Sequence, residues 1–163
     1  MQLGIDFFCL DSFTGERLPA LRWPKIESFR YPDNGSRGFW LLQDFSVVLC
    51  FRGKWTRFTV FHGFDFDGAS IPRWAWSMIG DPLALDIQIA ALFHDLLYCA
   101  HLPDWPKALA DSLFLEIQQA CAGSWMKRKI TTTIVKSLGW TSWPKTEDVI
   151  AKYRLLCYSI PVV

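Results

Sequence analysis

One stretch constrains the fold more than any other: Ala90-Ala91-Leu92-Phe93-His94-Asp95-Leu96-Leu97-Tyr98 falls in a region of helical spacing and is apolar almost all round. A helix without a polar face is a buried helix. Within it stand two ionisable groups, His94 and Asp95. A charge buried without a partner is costly, so each is expected to be hydrogen-bonded, paired or bound to metal. A core histidine donating to a backbone carbonyl, with Asp95 paired to a nearby Arg or Lys, meets that requirement with no chemistry attached.

Covering such a helix takes apolar mass, and the composition supplies it. Hydrophobic residues make up 51% of the 163-residue chain and charged residues 20%, which excludes wholesale disorder and is the size of one domain, residues 1–163. After Ile71-Pro72 apolar residues recur at helical spacing, with helices expected over about residues 82–102, 106–122 (capped by Asp104), 124–138 and 146–156. Before it, the first forty residues are rich in turn formers, while the aromatic and β-branched runs 39–51 and 55–61 read as a β-hairpin around Arg52-Gly53-Lys54. The expected fold is α+β. A β-rich part, residues 1–62, packs as a hairpin or small antiparallel sheet on a helical bundle, residues 63–163, with two long antiparallel helices carrying the site.

Several classes of function are excluded or disfavoured. A net charge of +1 is far from the basic balance that phosphate-backbone binding needs, so general nucleic-acid binding is not expected. Asp86 and Asp95 interrupt the most apolar region, which leaves no run near the roughly 20 residues that span a bilayer. The N-terminal run Phe7-Phe8-Cys9-Leu10 lacks the basic start and cleavage site of a signal peptide. Five scattered cysteines without a Cys-x-x-Cys pair read as free thiols in a reducing compartment.

Asp111 gives the buried doublet a third member. It lies in Ala110-Asp111-Ser112-Leu113-Phe114, beside the stripe of Ala110, Phe114 and Ile117, and a turn over residues 102–105 can fold its helix back antiparallel, setting Asp111 opposite His94. Asp111 then accepts the proton of one ring nitrogen and leaves the other as a base, with Tyr98, one turn beyond His94, steadying the pair. The alternative is a surface pair between Asp111 and Lys107. A further carboxylate, Asp67, leads into Gly68 in Phe66-Asp67-Gly68-Ala69-Ser70-Ile71-Pro72-Arg73, where a loop carboxylate and turned carbonyls suit a hard cation, so that Asp67 and Asp95 together can hold calcium. An Asx-turn at Asp67 with Ser70 capping a short helix explains the same residues.

These blocks, Phe66 to Arg73, Phe93-His94-Asp95 to Tyr98 and Ala110-Asp111 to Phe114, resemble a bacterial and phage family known only as a domain of unknown function, over about residues 63–122. That resemblance implies a phage or prophage origin, and with it the host bacterial cytoplasm or the virion as location. More distantly, His94-Asp95-Leu96-Leu97-Tyr98 is similar to the His-Asp-x-Cys-Tyr helix of phospholipase A₂, with Asp111 in the place of that family's second aspartate and Asp67-Gly68 resembling an upstream calcium segment. The resemblance implies a hydrolase of a lipid or other small ester. His94 would be the general base, Asp111 its orienting partner, and Asp95 with Asp67 the calcium ligands. Leu97 stands where that family has a disulfide cysteine, and the glycine-rich calcium loop of the animal enzymes is absent.

Trp74, Trp76, Trp105, Trp125, Trp140 and Trp143 flank the site in sequence, either as a peripheral membrane contact or as core. Met126-Lys127-Arg128-Lys129 reads as a solvated helix face. A metal-dependent His-Asp phosphohydrolase is disfavoured, because it needs another helix-borne histidine and His62 reads as the end of a strand. The competing reading is a phage virion or assembly protein, partnered by other phage structural proteins, in which the His/Asp cluster is a polar network locking two helices together.

Overall fold

In the computed structural model the described residues are 8–9, 24–33, 35, 37–51, 54–67, 84–120, 125–143 and 145–161. Six of the seven described strands come from short, turn-separated runs ahead of the helices. Strands β1 (Phe8–Cys9), β2 (Ile26–Arg30), β3 (Arg37–Leu41), β4 (Phe45–Phe51), β5 (Lys54–Val60) and β6 (Asp65–Phe66) precede the helices α1 (Leu85–Ala100), α2 (Lys107–Ala120), α3 (Trp125–Ser142) and α4 (Glu147–Arg154), and strand β7 (Cys157–Pro161) follows them. The strands form two antiparallel sheets, one in the order β1-β4-β5-β7 and one in the order β2-β3-β6. This is an α+β fold.

The long aromatic run 39–51 is two strands rather than one arm of a hairpin. Phe39, Trp40 and Leu41 belong to β3, where Phe39 faces Phe66 and Leu41 faces Ile26, and the chain leaves that sheet at Leu42 before Phe45 enters the other one opposite Val60. The break lets Leu41 and Phe45 both turn inward, at 1% and 7% exposure, while Leu42 between them stays out at 50%. The expected hairpin survives as β4 with β5, paired from Phe45 and Val60 to Phe51 and Lys54. Strand β7 arises where the sequence reading placed no strand, and it lines the far side of β5, with Cys157 opposite Val60.

Helix α1 sits in the middle, as its sequence requires. It packs on α2, α4 and β6, and Phe93 meets the four-stranded sheet edge-on at Phe58 and at a tilt against Phe45, with ring centroids 5.7 and 6.1 Å apart. Phe58 and Phe93 are fully buried; truncating either to Ala costs about 3–5 kcal/mol. The C-terminus of α1 is closed by His101, which takes a left-handed backbone (φ 45°) and donates its N–H to the Leu97 carbonyl. Arg154 of α4 serves the last carbonyls, with Nε donating to Ala100 and Nη2 to His101 at 2.9 Å each. A non-glycine residue in that region is held by its surroundings: the His101 ring stacks on Trp143 at 4.3 Å and its Nε2 donates to the Trp143 carbonyl.

Two helix boundaries differ from expectation for readable reasons. The first i→i+4 bond of α2 is accepted by the Pro106 carbonyl, from Ala110, so Pro106 rather than Asp104 holds the cap position. Helix α3 runs on to Ser142 through Gly139, because that glycine is used for a close approach rather than a stop. A Cβ there would collide with the Tyr98 hydroxyl.

Candidate functional site

The site lies where α1 and α2 run antiparallel. Tyr98 follows His94 by four residues and Asp111 follows Lys107 by four, so each helix presents two polar groups on one face. The four meet at a single carboxylate. His94 Nε2 lies 3.1 Å from Asp111 Oδ1, Tyr98 Oη donates to the same oxygen at 2.6 Å, and Lys107 Nζ donates to Oδ2 at 2.8 Å. The surface ion pair between Lys107 and Asp111 is therefore present but not on the surface: Lys107 is 9% exposed, Asp111 5% and His94 6%. Phe114 meets the His94 ring edge-on at 5.4 Å, and Tyr98 lies against it at 3.9 Å.

Electrostatics follow from this arrangement. Burial pushes the Asp111 carboxyl up, but hydrogen bonds from His94, Lys107 and Tyr98 overcome it and bring its pKa down to about 2. Asp111 is thus an acceptor, and the His94 nitrogen facing it carries the proton. For His94 itself burial favours the neutral ring, while the hydrogen bond to Asp111 and the neighbouring Asp95 carboxylate outweigh it and leave the pKa above the ordinary histidine value. Burial and the Asp111 charge hold the Tyr98 phenol well above its usual range, so it stays a donor.

The second ring nitrogen faces Asp95. His94 Nδ1 is buried without a hydrogen-bond partner, and it lies 3.6 Å from Asp95 Oδ1. The other oxygen of Asp95 accepts the Asp67 backbone N–H at 3.1 Å, so the two residues expected to hold calcium adjoin through the Asp67 main chain. Asp95 is partly exposed and Asp67 exposed, so this is the wetter flank of the knot. Calcium takes six to eight oxygen ligands; carboxylates such as Asp95 and Asp67 match that chemistry in kind, and Asp95 Oδ1 also pairs with His94 Nδ1 at 3.6 Å. Among the described residues no group of three or more His, Cys, Asp or Glu side chains converges as a metal cage. Residues 68–83, including Gly68, Ser70, Arg73, Trp74 and Trp76, lie outside the described residues.

A second knot was not visible in the sequence. Asp65, 9% exposed, accepts Tyr31 Oη on Oδ2 at 3.2 Å and Tyr153 Oη on Oδ1 at 2.9 Å, with Lys152 Nζ 3.6 Å away. Burial raises both phenols far above the usual tyrosine value, with Asp65 adding to it. Its partners stand 34 and 88 residues away in sequence; the only local signal was a carboxylate between Phe64 and Phe66.

Among the described tryptophan side chains, Trp105, Trp125 and Trp143 do not share one surface. Trp105 is in the core, its ring 5.1 Å from Phe58, and Trp143 packs on His101 and edge-on against Tyr98. Trp125 is 65% exposed at the start of α3 beside exposed Met126, with Lys129 Nζ 5.2 Å over its ring, as a solvated helix face arranges them. His62 bonds Asp44 through Nδ1 at 3.0 Å on the surface. Burial raises the Cys99 thiol to about 12, so it is no nucleophile. No helix among the described residues is long and apolar enough to cross a membrane.

Fold and site together define an α+β protein with a buried His–Asp pair clasped between two antiparallel helices. The chain belongs to the DUF1353 family, described as a protein of unknown function, whose model matches residues 40–135, more than half of its length and both helices of the site. No curated protein and no solved structure matches it.

Proposed function

We propose that this protein is a phospholipase A₂-like hydrolase of a lipid or other small ester, with His94 as general base. The observation that carries the reading is the asymmetry of the His94 ring: Nε2 is hydrogen-bonded to Asp111, while Nδ1 makes no hydrogen bond and faces the Asp95 carboxylate at 3.6 Å. In the neutral ring with its proton on Nε2, Nδ1 holds the lone pair; the flanking carboxylates favour the protonated ring, so this base form gains population as pH rises past the raised His94 pKa. Nδ1 removes a proton from a water as the water oxygen attacks the ester carbonyl carbon, and returns it to the alcohol oxygen as the carbon–oxygen bond breaks. Asp111, ionised and fixed by Tyr98 and Lys107, orients the ring and stabilises the imidazolium between the two transfers. Asp95 and Asp67 would hold calcium, which when bound supplies charge stabilisation to the developing oxyanion.

A second reading has its own observation. Asp111 meets three donors, one of them a lysine that cancels its charge, which is also what a purely structural tie between α1 and α2 needs. On that reading the protein is a non-enzymatic phage virion or assembly component.

Hydrolysis of phosphatidylcholine vesicles and of a soluble short-chain ester, each with calcium or chelator, separates the two. The hydrolase reading expects calcium-stimulated turnover that His94→Asn removes, and a calcium-dependent rise in melting temperature that Asp95→Asn removes. Turnover at background on both substrates, with no calcium shift, would favour the structural tie.

A further inference from the structure

We infer that Lys107 and the Gly139 backbone are positioning elements for His94, holding the Asp111 carboxylate in the orientation that occupies Nε2 and turns Nδ1 toward Asp95. Its catalytic consequence rests on the hydrolase reading; its geometry does not.

The terminal torsion of an aspartate is broad and roughly two-fold, so the carboxylate has little preference of its own. One of its oxygens, Oδ1, is shared between His94 and Tyr98. The other is gripped by Lys107 at 2.8 Å from the preceding turn of the same helix. Lys107 thereby fixes the plane in which Oδ1 faces the imidazole. The lysine is itself confined, with its ammonium 5.5 Å from the Tyr98 ring centroid on one side and α3 on another. At Gly139 an added Cβ would come 3.0 Å from Lys107 Nζ and would strike Tyr98 Oη.

The end of α3 therefore closes the knot with bare backbone. Trp143, one turn on, adds an aromatic wall edge-on to Tyr98 at 4.9 Å. None of this was accessible from spacing alone, where Lys107 and Asp111 look like an ordinary i,i+4 surface pair.

The test reads the His94 ring without any substrate. In ¹⁵N-histidine-labelled protein the Nε2 proton, bonded to a buried carboxylate, should give a downfield, slowly exchanging signal. Lys107→Met keeps the stem and removes the grip. It is expected to speed exchange of that proton by about tenfold or more, the factor carried by loss of one charge-assisted hydrogen bond, while the amide spectrum keeps the native pattern. Gly139→Ala, which displaces Tyr98 and Lys107, should act in the same direction. Lys107→Gln takes over should the Met variant not fold. An Nε2 proton unchanged in shift and exchange in a folded Lys107 variant overturns the inference. Absence of turnover in the unaltered protein refutes the hydrolase reading alone and leaves this result standing.

Discussion

Asp111 and Asp65 are the same device built twice. Each is a carboxylate under 10% exposed that accepts a tyrosine hydroxyl and faces a lysine, and each ties elements that would otherwise only touch through apolar side chains: α1 to α2 in one case, β6 to α4 and the end of β2 in the other. The difference is the remaining partner. Asp65 has a second phenol, which holds its proton throughout the neutral range. Asp111 has an imidazole whose other nitrogen makes no hydrogen bond and faces Asp95. A buried carboxylate knot is a structural tie by default; on the proposed hydrolase reading the Asp111 knot becomes reactive because its imidazole donor can also give up or take a proton.

The lysines differ as well, and this sets the largest expected effect. Lys107 is buried with Asp111, whereas the Lys152 side chain is 60% exposed beside Asp65. Asp111→Ala strands a buried ammonium and should cost about 3–5 kcal/mol in denaturant unfolding. Asp65→Ala frees a lysine that water can solvate and orphans two phenols, so about 1–3 kcal/mol is expected. Equal losses would break the comparison.

Function should split the two knots more sharply than stability. His94→Asn is expected to lower ester turnover by about 10²–10⁴-fold, the usual span for removing a general base, while Asp65→Asn leaves turnover within a few-fold. Steady-state rates on one substrate check both. The pH profile of unfolding gives a smaller effect. Asp111 falls from 3.8 to about 2 on folding, so its contribution is present above the unfolded value and is lost as pH drops from about 4 through 2, on the order of 2 kcal/mol. Asp111→Asn should flatten that acid limb. Smallest is the loss of single hydroxyls: Tyr98→Phe about 1–2 kcal/mol and Tyr153→Phe about 1 kcal/mol, by thermal unfolding.

The same contrast explains what could be read in the sequence. The Asp111 knot is assembled from partners 4, 13 and 17 residues apart on consecutive helices, so helical period and one turn suffice to bring His94, Tyr98 and Asp111 together. The burial of Lys107 was not legible, because it depends on Gly139 arriving from a third helix. The Asp65 knot spans the chain, and no local pattern encodes which tyrosines will arrive. Strand β7 was hidden for the same reason: Cys157–Pro161 is made a strand by its place beside β5 rather than by alternation of its own. Leu42 and Asp44, exposed at the break between β3 and β4, were in plain view, but only the registers with Phe66 and Val60 show that the run changes sheet there.

Side-by-side ester turnover of the unaltered protein, His94→Asn and Asp65→Asn, with calcium present and folding verified for each, tests the central claim most directly. The account predicts that turnover disappears in His94→Asn and persists in Asp65→Asn. Turnover that is absent in all three, or that falls equally in both variants, would contradict it and make both knots structural.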